Sequence, residues 1–114
     1  MYHIVSALKE SSLIDSVYII EFIDESSVKL LKVKAGIADG TWLYITELHT
    51  SDYQKYSYHW QKTDGELIIR WDNKPHWRHI ETFPHHKHEG DSVSASERID
   101  IREVLKVIQD RLER

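Results

Sequence analysis

The stretch YSYHWQKTDGELIIRW, residues 56–71, decides the fold. Aromatic and β-branched residues alternate with polar ones on both sides of Asp64-Gly65. Asp-Gly between two such runs is a strong short-range hairpin signal. With Thr63 and Asp64 at the centre of the turn, Gln61 is expected opposite Glu66, His59 opposite Ile68 and Ser57 opposite Arg70. Strand side chains point alternately to opposite faces, so the residues divide into two sets. Tyr56, Tyr58, Trp60, Leu67, Ile69 and Trp71 form an apolar face that reads as core. Ser57, His59, Gln61, Glu66, Arg70 and Asp72 form a polar face, with Ile68 as its exception.

Upstream, VYIIEFI (17–23) has the composition of a strand, and VKLLKVKAGI leads through Asp39-Gly40 into TWLYITEL, a further hairpin. Ile4, Val5 and Leu8 fall at helical spacing near the N-terminus. Downstream, Asp100 and Glu103 have the spacing of a capping box, and Ile101, Val104, Leu105, Ile108 and Leu112 make one apolar stripe. Residues 73–96 show no periodicity and contain both prolines. That segment is expected to be a long connection, pinned by Trp77 and Phe83 and mobile over EGDSVSASE. The fold class is therefore α+β: an antiparallel β-meander of four to five strands, a short N-terminal helix, and a C-terminal helix packed on the sheet.

The totals bound the rest. The 114 residues, 40% of them hydrophobic, suit a single domain over 1–114 with one core. No apolar run of about 18 residues exists to span a bilayer, and the N-terminus lacks the pattern of a secretory signal, so a soluble, cytoplasmic protein with no membrane partner is expected. Zero cysteines exclude disulfides, thiol catalysis and cysteine-based zinc sites. The net charge of −4 argues against broad nucleic-acid binding, but five of the eight histidines lie between His76 and His88. From Arg70 to His88, the cations Arg70, Lys74, Arg78 and Lys87 stand against only Asp72 and Glu81.

Several motifs carry a resemblance: Tyr-Ser-Tyr-His at 56–59, Gln61, Asp-Gly at 64–65, Arg-Trp-Asp-Asn at 70–73, Pro-His at 75–76 and Thr-Phe-Pro-His-His-Lys-His at 82–88. This series resembles the signature of the TumE family, small toxins of toxin–antitoxin modules. It covers the central third of the chain by motif and the flanks by shape. Trp77 and Arg78 depart from the pattern. The resemblance implies a toxin role and a cognate antitoxin; the chemistry has to come from the residues.

Metal-free cleavage of an RNA phosphodiester needs a base, an acid and cations for the charge that builds on phosphorus. His85 and His88 are the expected acid/base residues, with Lys87 and Arg70 as phosphate clamps. His59, Asp72, His76 and His86 are expected to bind or orient substrate. Trp71, Trp77 or Tyr58 would stack a base if exposed. A structural reading stands beside this one, with imidazoles bonded to backbone carbonyls and Arg70 paired to Asp72 or Glu81. A metal site built from His76, His85, His86, His88 and Asp72 ranks third, since helical i, i+4 spacing is absent and Lys87 adds positive charge; no metal and no cofactor are expected. The preferred function is a ribonuclease-type toxin. The alternatives are a ring nuclease acting on a small cyclic oligonucleotide such as cyclic oligoadenylate, and a noncatalytic module binding nucleotide or protein. A homodimer is a further expected assembly.

Overall fold

The computed structural model describes residues 1–113. Helix α1 (Tyr2–Glu10) precedes five long strands: β1 (Ile14–Asp24), β2 (Val28–Ile37), β3 (Trp42–Thr50), β4 (Gln54–Gln61) and β5 (Leu67–Asp72). Two short strands, β6 (His86–Glu89) and β7 (Ser92–Ala95), follow a connecting loop, and helix α2 (Ile101–Leu112) closes the order. All seven strands form one sheet in chain order, each antiparallel to the next.

The α+β class, the antiparallel meander and both helices agree with expectation, but the sheet has seven strands and not four to five. The additional pair comes from the segment read as a loop. EGDSVSASE is not wholly an unstructured stretch: Gly90, at φ 59°, turns the chain between β6 and β7. These strands escape detection because they carry almost no apolar alternation. Their addition to the sheet follows from backbone pairing with β5 and from histidines packed on its polar face.

Both helices pack on one face of the sheet. Ile4 and Leu8 of α1, with Ile101, Val104 and Ile108 of α2, join Leu31, Val33, Leu43, Ile45, Tyr58, Trp60, Ile69 and Trp71 in one buried cluster. Burial of each such large side chain stabilises the fold by about 1.5–3 kcal/mol, which is why the helices hold to this face alone. The capping box of α2 forms in both directions: the Glu103 N–H donates to Asp100 Oδ1 at 3.0 Å and the Asp100 N–H to Glu103 Oε1 at 3.4 Å.

The second hairpin keeps its two faces but shifts its register. His59 lies opposite Arg70, Tyr58 opposite Trp71 and Ser57 opposite Asp72, with an irregularity between Trp60 and Gln61. The loop is asymmetric: the Gly65 N–H donates to the Lys62 carbonyl, and Gly65 takes φ 92°, a conformation open to glycine. From Ser57 to Trp60 the displacement amounts to two positions, so Tyr56, Tyr58, Trp60, Ile69 and Trp71 stay inward, but at the irregularity Leu67 falls opposite Gln61 and Ile68 packs against the core in its place. Glu47 points to the helix side, where it accepts from the Tyr58 hydroxyl at 3.1 Å, while Lys32 lies opposite Thr46 on the other face.

Candidate functional site

The face of the sheet away from the helices carries two adjacent rows of polar side chains. One row runs Tyr44, His59, Arg70, His88 across β3 to β6. The next runs Lys32, Thr46, Ser57, Asp72, His86 across β2 to β6. Period-2 alternation puts His86 and His88 together on this face and sends Lys87, opposite Trp71, to the other.

Asp72 is the hub, only 2% exposed. Its Oδ2 accepts from Arg70 Nε at 2.9 Å and its Oδ1 from the Lys74 N–H at 2.9 Å. His86 Nε2 lies 3.0 Å from Oδ1, and His88 Nε2 lies 3.6 Å from Oδ2. The two imidazoles approach to 3.1 Å between their Nε2 atoms. His86 is 1% exposed, and its Nδ1 faces the Pro84 carbonyl oxygen at 2.9 Å. A carbonyl only accepts, so Nδ1 carries a proton. Arg70 Nη1 reaches His59 Nδ1 at 3.1 Å. Trp77 leans its ring edge toward His88, with centroids 5.9 Å apart.

Burial lowers the pKa of His59, and the Arg70 guanidinium lowers it further. Burial likewise lowers that of His88, against the raising influence of Asp72. Beside this cluster a groove of about 370 Å³ is lined by Lys32, Lys55, Arg70 and Lys74 among others, with no carboxylate in its lining among the described residues. Lys32 has Glu21 as an exposed partner at 3.7 Å, a contact of little energetic weight.

The expected site residues therefore divide. Arg70, Asp72, His59, His86 and His88 come together on the open face, and His76 is exposed in the loop before β6. His85 belongs to the other side: its Nδ1 meets the Tyr56 hydroxyl at 2.9 Å, and the two rings stack at 5.7 Å. Arg98 lies over Tyr56 at 5.0 Å and 3.9 Å from Glu47. In this setting burial, and then Arg98, lower the His85 pKa, and burial pushes Tyr56 up to about 12. Trp71 and Tyr58 are core residues, leaving Trp77 as the tryptophan beside the cluster. The structural reading of the histidines holds for the His86–Pro84 contact and for Arg70 with Asp72. Lys32 and Lys55 were missed as groove residues. Carrying the face alternation of Arg70 back through β4 and β3 to β2 was the signal that identifies them.

These features define a two-layer α+β protein with a cationic, histidine-bearing open sheet face. The chain belongs to the TumE toxin family: the family model described as toxin TumE matches residues 4–114, nearly its whole length. No curated protein and no solved structure matches it. Among the described residues, no helix is long and apolar enough to cross a membrane.

Proposed function

We propose that this chain is the toxin of a toxin–antitoxin module and cleaves phosphodiester bonds in RNA on the open face of its sheet, without metal, until a partner antitoxin neutralises it. The observation that carries this reading is the row His59, Arg70, His88 on three neighbouring strands, flanked by the lysine-lined groove. Two imidazoles bracket one guanidinium. A phosphate held on Arg70 would meet a proton acceptor on one side and a proton donor on the other, as an in-line displacement requires.

The 2′-hydroxyl gives its proton to one imidazole while its oxygen bonds to phosphorus. The bond from phosphorus to the 5′ oxygen breaks, and that oxygen takes a proton from the second imidazole. Charge growing on the phosphoryl oxygens falls on Arg70, which Asp72 orients through Nε, and on Lys74 at the groove wall. His88 and Arg70 keep the catalytic roles expected from the sequence. His59 takes the role expected of His85, because His85 is engaged with Tyr56 on the helix side. Lys87 shares that side and is left out of the clamp.

The groove volume of about 370 Å³ also suits a compact ligand, which supports a cyclic oligonucleotide as the second substrate class. The test is cleavage of labelled linear RNA and of cyclic oligoadenylate in excess EDTA, with His59→Ala and His88→Ala alongside. Cleavage of linear RNA that either variant abolishes supports the reading. Cleavage of the cyclic substrate alone transfers it to a ring nuclease, and turnover of neither leaves a binding module.

A further inference from the structure

Where the two rows of the open face meet on β5 and β6 lies a constellation that acid–base cleavage uses only in part, through His88 and through Asp72 behind Arg70. Asp72, His86 and His88 bring one carboxylate oxygen and two imidazole nitrogens within 4.8 Å of one another. His86 Nε2 stands 3.0 Å from Asp72 Oδ1 and 3.1 Å from His88 Nε2, and His88 Nε2 stands 3.6 Å from Asp72 Oδ2. Around an ion with bonds of about 2.0–2.2 Å, the separations of 3.0 and 3.1 Å from His86 Nε2 subtend angles of roughly 85–100°, within the range of facial octahedral and distorted tetrahedral sites.

The orientation of each donor is fixed from behind. The Nδ1–H of His86 donates to the Pro84 carbonyl at 2.9 Å, which turns Nε2 inward. A backbone carbonyl on the far nitrogen is the usual outer contact of a metal-binding histidine. Asp72 is held by Arg70 Nε and by the Lys74 N–H, both at 2.9 Å. Asp72 and His86 are buried, at 2% and 1% exposure, so the cluster is built into the sheet rather than scattered over its surface. The Nε2 atom of His86 faces both an anionic carboxylate and a second imidazole nitrogen. A positive charge at their centre satisfies all three, and a metal ion does so with one particle where a proton reaches only two.

We infer that Asp72, His86 and His88 form a binding site for one divalent transition-metal ion of the zinc type. His88, with a side chain 24% exposed, forms the solvent side of the site. The site goes beyond the ribonuclease reading and shares His88 with it. The same Nε2 lone pair that would carry a proton during cleavage binds the metal, so zinc loading inhibits metal-free cleavage.

The test is equilibrium dialysis of the full chain against Zn²⁺, with bound metal counted by mass spectrometry and thermal unfolding recorded with and without Zn²⁺. One zinc per chain is expected, with affinity reduced tenfold or more in His88→Ala and unchanged in His79→Ala, an exposed histidine of the same loop region. Zinc should raise the unfolding temperature of the parent chain and leave that of His88→Ala unmoved. His88→Ala unfolding in EDTA at the parent temperature verifies that its fold is intact. Substoichiometric zinc, or uptake that His88→Ala leaves unchanged, overturns the site and leaves the cluster a proton-bonded network. Uptake is read without RNA, so the two readings fail separately. Zinc uptake with no RNA cleavage under any condition retains the site and removes the ribonuclease. Cleavage in EDTA with no zinc uptake does the reverse.

Discussion

Replacing Asp72 by alanine tests the arrangement of the open face most directly. The carboxylate accepts from Arg70 Nε and from the Lys74 N–H and lies against two imidazoles, with 2% of its own surface exposed. Its removal leaves the Lys74 N–H without its acceptor and the buried His86 Nε2 without the carboxylate it faces, with only the His88 imidazole beside it. Arg70, with 27% of its side chain exposed, turns partly to water and contributes less to the cost. Breaking a buried charged pair from one side costs about 3–5 kcal/mol, and the exposure of Arg70 puts this case near 3 kcal/mol. An unfolding entropy of about 2.1 cal/mol/K per residue gives about 0.24 kcal/mol/K for a chain of this size, so Tm should fall by about 12 °C. Asp72→Asn keeps an acceptor for Lys74 and loses the charge, so it should fall by about 8 °C, or 2 kcal/mol. Calorimetry at neutral pH in EDTA, with Lys32→Gln as an exposed control, reads the difference. A drop below about 3 °C for Asp72→Ala would refute the claim that this carboxylate organises the face.

Other outcomes follow from the same geometry. Binding of single-stranded RNA to a groove that engages Lys32, Lys55, Arg70 and Lys74 should weaken with salt at a log–log slope of about −3, and Lys55→Gln should reduce it by about 0.7; a slope unchanged in that variant would remove Lys55 from the contact. Arg70→Lys keeps the charge but loses the fork that meets both Asp72 and His59, so cleavage should drop about 100-fold. Equal activity in Arg70→Lys would show that a point charge suffices. For His59 the folded pKa is lowered by burial and then by Arg70, so its neutral form is favoured in the native state. Its stabilisation is complete above the unfolded value of about 6.5 and is lost as pH falls through that value toward the lower folded one. Denaturant titrations at descending pH should therefore show a shallower loss of stability in His59→Gln than in the parent, and coincident curves would exclude His59 as a contributor.

The antiparallel hairpins, the helix stripe and the capping box were legible because each depends on residues close in sequence: Asp-Gly turns, period-2 alternation, and Asp100 three positions before Glu103. The polar face bearing His59, Arg70 and Asp72 was legible for the same reason. Its exact pairing was not, because the turn at Gly65 is asymmetric and the irregularity between Trp60 and Gln61 leaves Ile68 unpaired on the opposite strand. Strands β6 and β7 were hidden because a short strand of histidines and serines has no apolar signature, and β5 supplies the partner that makes it a strand.

By itself the sequence determined which residues alternate, where the chain turns, and that its cations and imidazoles gather late in the chain. Only the tertiary structure decided which of them meet. Once β6 pairs with β5, alternation separates His85 and Lys87 from His86 and His88, and the register sets His88 beside Arg70 and His86 beside Asp72. Contacts across strands depend on register, and register depends on turns and pairings summed over the whole sheet.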